Sequence, residues 1–170
     1  MTGRMKLENE IGLARRSRVP VLISAPPDRA LAVAHAIAEG VRGKTPVVEC
    51  DGASIVDAAQ RRVPAATEDE IVMIVREVHM LSDFEQAGLM QLLDEGAGVG
   101  RRRIITTSSA SLYDRVEQGK FNETLFYRLN AIHIMSDAGS DGLALKNAKR
   151  AEGPGGTYWG APGNLSAPVC

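Results

Sequence analysis

Cysteine is scarce in this chain, with two among 170 residues. Cys50 lies inside an apolar run and Cys170 is the last residue, so there is neither a disulfide framework nor the CxxC spacing of a metal site. That favours a reducing, intracellular setting. Long apolar runs are missing as well. The opening residues, Met1-Thr2-Gly3-Arg4-Met5-Lys6-Leu7-Glu8-Asn9-Glu10, contain nothing like the apolar stretch of a signal peptide, and no later run approaches a membrane span. Charge of one sign is also missing. With 20 Lys and Arg against 21 Asp and Glu, the formal net charge is −1, so no whole-chain field draws the molecule to nucleic acid or to an anionic membrane. These absences together predict a cytoplasmic protein with no direct nucleic-acid partner and no membrane.

What is present suffices for a folded core. Apolar residues make up 44% and charged residues 24% of the chain, the balance of one compact domain. Residues 19–24, Val-Pro-Val-Leu-Ile-Ser, form a short β-branched run that predicts a strand, followed by a Pro-Pro-Asp turn and a helix over 29–41. Residues 46–50 predict a second strand, 54–61 a short helix, and 71–75 an apolar run of the kind that a buried parallel strand needs. A helix over 83–95 carries Phe84, Ala87, Leu89, Leu92 and Leu93 close to one stripe. Residues 103–107 predict a fourth strand, 112–118 a helix, and 131–135 a fifth strand after the segment 123–128. Strands alternating with helices imply right-handed crossovers and a five-stranded parallel sheet covered on both faces, an α/β fold in three layers. From 137 to 170 the pattern stops. That stretch is rich in Gly and Pro, and its scattered large side chains, Tyr158 and Trp159 among them, are too few to offset ordering entropy. The expected division is a domain over 1–136 and a mostly disordered tail over 137–170.

Several local signals point to bland roles. Arg101-Arg102-Arg103 is a basic cluster that reads as the solvated start of a strand. His35, His79 and His133 lie on separate elements with no metal-ligand spacing and no cysteine nucleophile pattern nearby, so neither a zinc site nor a Cys/His hydrolase is expected. Gly43-Lys44-Thr45 matches the end of a phosphate loop, GxxxxGKS/T, but the glycine required five residues earlier is Ala38 here. The tripeptide also follows a helix instead of opening one, and so reads as a helix-stop glycine and loop. A receiver domain would need an acidic pair after the first strand, where this chain has Ser24-Ala25-Pro26.

Longer strings carry a family resemblance. Arg103-Ile104-Ile105-Thr106-Thr107-Ser108-Ser109, a helix, and then Gly119-Lys120-Phe121-Asn122-Glu123-Thr124-Leu125-Phe126-Tyr127-Arg128-Leu129-Asn130 follow one another. The series resembles the pattern R-I-I-A-A-T-N, helix, G-x-F-R-x-D-L-Y-Y-R-L-N of the AAA+ core of bacterial sigma-54 transcription activators. Ala14 followed by Val19-Pro20-Val21-Leu22-Ile23 is similar to that family's lead into its P-loop. Gln86-Ala87-Gly88-Leu89-Met90-Gln91-Leu92-Leu93-Asp94-Glu95-Gly96 is similar to its Q-x-x-L-L-R-V-L-x-E-G helix. The matches fall in order and phase over 11–135, and the block 121–130 is the specific one. The resemblance implies a P-loop NTPase-like (AAA+) sheet, ATP with magnesium as the family's cofactors, and a role in bacterial transcription regulation.

The residues that carry the family's chemistry are replaced here. A P-loop binds phosphate because glycines let consecutive backbone N–H groups point inward while a Lys reaches the β- and γ-phosphates. Against the family's G-E-S-G-T-G-K-E stands Ser24-Ala25-Pro26-Pro27-Asp28-Arg29-Ala30-Leu31, with no glycine, no lysine and two prolines that carry no N–H. Asp28 is expected to cap the following helix where a phosphate would sit, and Arg29 is the one substitute cation in the loop. The family's next strand ends Asp-Glu, with Asp serving magnesium and Glu polarising water. Here it ends Arg76-Glu77. A guanidinium opposes a cation, so Glu77 is left as a vestigial catalytic glutamate, read alternatively as a surface carboxylate paired with Arg76. Ser109 stands at the family's polar sensor position. Of the family's two finger arginines, which reach a neighbouring subunit's γ-phosphate, the first aligns with Asn122 and the second with Arg128. Arg128 is therefore the candidate finger acting in trans, the alternative being a structural arginine on a short helix. Residues 51–70 hold nothing similar to the family's GAFTGA contact loop, and no match to its helical lid follows the sheet.

The expectation is a transcription-regulation module that acts by protein interaction, binds no cofactor and is not an enzyme. Its expected partner is an intact sigma-54 activator or a second copy of itself. Two alternatives stand beside it: an ATP-binding activator with an atypical site, or one supplying Arg128 in trans; and an eroded, non-functional relative.

Overall fold

The computed structural model describes residues 2–40, 45–60, 71–98 and 102–136. An N-terminal helix α1 (Thr2–Arg16) leads into β1 (Val21–Ser24), α2 (Pro27–Glu39), β2 (Val47–Cys50), α3 (Gly52–Gln60) and β3 (Ile71–Val75). A 3-10 turn (Val78–Met80) joins β3 to α4 (Asp83–Gly98), followed by β4 (Arg102–Ser108), α5 (Leu112–Glu117), α6 (Glu123–Leu129) and β5 (Ile132–Met135). The five strands form one sheet in the order β2-β3-β4-β1-β5. All four pairings are parallel, with Val21 opposite Ile105 and Ile132, and Ile74 opposite Glu49 and Ile105.

The strand sequences explain the layers. Side chains alternate between faces of a strand, so Val21, Ile23, Val72, Ile74 and Ile105 enter one core with α1 and α2. Leu22, Met73, Val75 and Ile104 enter the other, with Ile55 of α3, Leu89 and Leu92 of α4, Leu112 of α5, and Leu125 and Leu129 of α6. Both faces are covered, as an all-parallel sheet requires. The expected α/β three-layer fold is therefore the observed one.

The ends of the elements differ from the sequence expectation in instructive ways. α2 begins at Pro27, not at residue 29, because a proline at the first helical position loses no hydrogen bond and already has helical φ. β1 begins at Val21, after a proline that cannot donate to a ladder. α1 escaped the sequence reading altogether. Its buried side chains Leu7, Ile11 and Ala14 recur at helical spacing, but in a stretch too polar to announce itself.

Of the basic cluster, Arg103 departs from the expectation. Arg103 is 3% exposed, not a solvated strand start. Alternation along β4 turns it to the α1 side of the sheet, where it donates to the carbonyls of Ala14 and Arg15 at the end of α1. Arg15 in turn donates from Nε and Nη2 to the Ala36 carbonyl at 2.9 and 2.7 Å. Its side chain passes Gly40, the C-cap of α2, where a Cβ would collide with it. Gly43, Lys44, Arg61, Arg101 and the whole expected tail lie outside the described residues.

Candidate functional site

In an open parallel sheet, ligand sites form beyond the carboxyl ends of the strands where the chain order reverses, here at β1 between β4 and β5. Two polar clusters stand there. In the first, the loop after β1 is drawn toward β5. Ser24 Oγ lies 2.8 Å from His133 Nε2, Ser136 N–H donates to the Ser24 carbonyl at 3.1 Å, and Arg29 Nε donates to Ser136 Oγ at 2.5 Å. Ala25 N–H donates to the Ser108 carbonyl at 3.2 Å. Pro26 is the N-cap residue of α2 and makes no side-chain cap. The expected cap by Asp28 is not formed, because the early helix start at Pro27 places Asp28 inside the first turn. Partial burial holds the His133 imidazole below its usual pKa, against an opposing pull from Glu10.

The second cluster gathers at the ends of β3 and β4. Glu77 has φ 47° and ψ 52°, the left-handed region, and is the one non-glycine residue with positive φ among the described residues. Its N–H donates to Thr107 Oγ1 at 3.2 Å. Its Oε2 accepts from Ser109 N–H at 3.3 Å and from Ser109 Oγ at 2.5 Å, with His79 Nδ1 3.3 Å away. Oε1 is buried and accepts no hydrogen bond among the described residues. His79 Nδ1 also meets Ser108 Oγ at 3.2 Å. Burial lowers the His79 pKa and Arg115 lowers it further, with Glu77 opposing. The expected Arg76–Glu77 pair is absent. Successive side chains leaving a strand diverge, so Arg76 turns to Glu49 Oε2 at 3.6 Å while Glu77 turns to Ser109.

Beside this cluster a cleft of about 320 Å³ opens at the ends of β2 and β3, lined by Glu49, Cys50, Asp51, Arg76, Glu77 and Glu85 among others. No residue of the loop 24–31 lines it. Burial, followed by the charge of Asp51, raises the Cys50 thiol pKa, which makes the thiol a poor nucleophile. The Ser54 hydroxyl and N–H hold the Asp51 carboxyl below its usual value. Among the described residues no group of three His, Cys, Asp or Glu is placed to hold a metal ion.

Arg128 joins neither cluster. At the end of α6 its Nη1 lies 2.5 Å from Asp94 Oδ1 and 3.2 Å from Met90 Sδ, both on α4. Asn122, aligned with the family's other finger position, is the N-cap of α6, and its Oδ1 accepts from Leu125 N–H at 2.9 Å. The sequence reading missed Gln86 as a structural centre. Buried to 4% exposure, it donates to the Leu81 and Lys120 carbonyls and accepts from Asn122 N–H at 2.8 Å, locking α4 to the turn before α6. Its presence in the matched α4 string was the available signal.

Residues 3–136 match the sigma-54 interaction domain. The chain belongs to that family. The five strands, the Glu77–Ser109 cluster and Arg128 all sit within the matched span. NtrX from Brucella abortus in complex with ADP is similar over 78% of this chain and 35% of its own, at 21% identity and a TM-score of 0.63. The P-loop NTPase domain of the sigma-54 transport activator from E. coli is similar over 76% of this chain and 99% of its own, at 14% identity and a TM-score of 0.56. The RuvB Holliday junction branch migration motor of Thermotoga maritima is similar over 78% of this chain and 45% of its own, at 16% identity and a TM-score of 0.55. At these identities the likeness is one of fold. The chain spans about a third of the length of the NtrX protein. No curated protein matches it. Among the described residues, no helix is long and apolar enough to cross a membrane.

Proposed function

We propose that this sigma-54 interaction domain is a transcription-regulation module that works through protein contact and does not turn over ATP. The observation that carries the reading is the loop between β1 and α2. A phosphate cradle needs consecutive inward N–H groups and a mobile cation. Here the cap and first helical positions are Pro26 and Pro27, which have no N–H, and the next residue, Asp28, brings negative charge to the first turn. Arg29 is tied to Ser136 on the β5 side. At the magnesium position Arg76 presents a guanidinium bound to Glu49. These residues do not fit a nucleotide with its magnesium, so no hydrolytic step is routed through Glu77. The hydrogen bonds from Ser109 to Glu77 support an organised scaffold rather than a decayed one. The partner in this reading is an intact member of the same family or a second copy of the chain.

Isothermal titration with Mg-ATP tests the reading. No heat of binding is expected up to millimolar nucleotide. Micromolar binding that disappears when residues 24–31 are replaced would sink it.

A second reading draws on the surface position of Arg128, whose side chain is 40% exposed. It lends that guanidinium to a nucleotide held by a neighbouring family member, where a positioned arginine stabilises the charge that develops on the phosphate. Faster ATP hydrolysis by an intact activator on mixing, lost in Arg128→Ala, is its signature.

A further inference from the structure

α6 has seven residues and is held by its ends: Asn122 caps its start, and Leu125 and Leu129 are buried beneath it. That leaves the side chain of Arg128 on the outer side, over α4. Its ion pair with Asp94 is exposed on both partners, 40% for Arg128 and 59% for Asp94. The nitrogen that meets Asp94 Oδ1, Nη1, is also the one that lies against Met90 Sδ. The surroundings suit a macromolecular contact. Tyr127 is 64% and Tyr113 57% exposed, and Phe126 packs edge-on against both rings. Tyrosine and arginine are both enriched at contact hot spots.

We propose that Asp94 is a latch on Arg128, an autoinhibitory contact that an anionic group on a neighbouring molecule must displace before Arg128 can serve it. The proposal rests on the second reading above, in which Arg128 acts across a contact. The latch belongs to this chain's own α4, so it can close without a partner. Exposed pairs of this kind are weak, and the competition they impose on an incoming anion is about two- to fivefold in affinity.

The test is a titration of the full chain, labelled at its arginine side chains, with inorganic pyrophosphate at low ionic strength. The Arg128 Nε–Hε resonance is followed by NMR and assigned through Arg128→Lys. In Asp94→Asn the dissociation constant read at Arg128 is expected to fall about two- to fivefold, with the other arginine resonances unmoved. Equal constants in the two proteins overturn the latch. So does an equal gain in Glu123→Gln, which removes a negative charge from α6 without touching the Arg128 contact. Mixing with an intact family member then separates the latch from the reading beneath it. Asp94→Asn is expected to lower, by the same factor, the concentration that half-maximally stimulates ATP hydrolysis. If neither wild type nor Asp94→Asn stimulates, the trans reading falls and takes the regulatory role of the latch with it, whatever the pyrophosphate result.

Discussion

A guanidinium buried to 3% exposure needs acceptors, and Arg103 finds them in the carbonyls of Ala14 and Arg15. Both carbonyls lie in the last turn of α1, where acceptors outnumber the helix's own donors and where Ala14 already accepts from Ser17 N–H at 3.2 Å; a positive charge also suits the negative end of α1. Arg103→Met keeps the length of the side chain and removes the donors. Hydrogen bonds to charged groups contribute about 1.5–3 kcal/mol, so a loss of that order in urea unfolding is expected. Amide exchange should speed up first in α1. A variant with unchanged stability and unchanged α1 protection would refute the role. Sequence alone showed a basic cluster and could not show its direction, because the outcome depends on which face of β4 residue 103 takes. Glu77 is a parallel case. Its identity and place after β3 were legible, whereas its left-handed backbone and its turn toward Ser109 arise from packing between β3 and β4.

Elements whose ends are set by local chemistry were the readable ones. α5 ends in a Schellman motif: Lys120 N–H donates to the Arg115 carbonyl at 2.8 Å, Gly119 N–H to that of Val116 at 2.9 Å, and Gly119 has φ 67°. Two residues later Phe121 is buried and Asn122 starts α6. Glycine, aromatic and cap thus form a compact stop-and-start signal beside the block 121–130, which the family resemblance singles out. Gly119→Ala is expected to cost about 1–2 kcal/mol although open space surrounds the position, because the strain lies in the backbone. Asn122→Ala is expected to cost about 1 kcal/mol through the lost cap. Thermal unfolding of each variant checks both, and an Asn122→Asp variant that keeps the cap should lose little. By contrast α1 and the 3-10 turn after β3 carry no such local signal. The first has a thin stripe of Leu7, Ile11 and Ala14, and the second is three residues long. Their existence is decided by the surfaces they cover.

At the scale of the molecule, two histidines on opposite sides of β1 couple the carboxyl end of the sheet to pH. His79 stands between Glu77 and Ser108 at the ends of β3 and β4, and His133 against Ser24 where β5 meets β1. Both imidazoles are held below their usual pKa of 6.5, in each case mainly because burial disfavours the charged form. The unfolded chain therefore binds protons more readily than the folded one once pH drops toward that value. Stability from this source is fully present above 6.5 and declines as pH falls from there through the depressed folded values. Asp51, whose carboxyl is shifted downward by Ser54, stays ionised over the same window and does not contribute. The unfolding midpoint should thus fall between pH 7.5 and pH 5.5, and His79→Gln combined with His133→Gln should flatten that fall. Glutamine can still hydrogen-bond to Ser108 and Ser24 but takes up no proton, so the variant separates titration from the loss of a contact. An equally steep fall in the double variant would assign the pH response to other groups and remove these two histidines from the account.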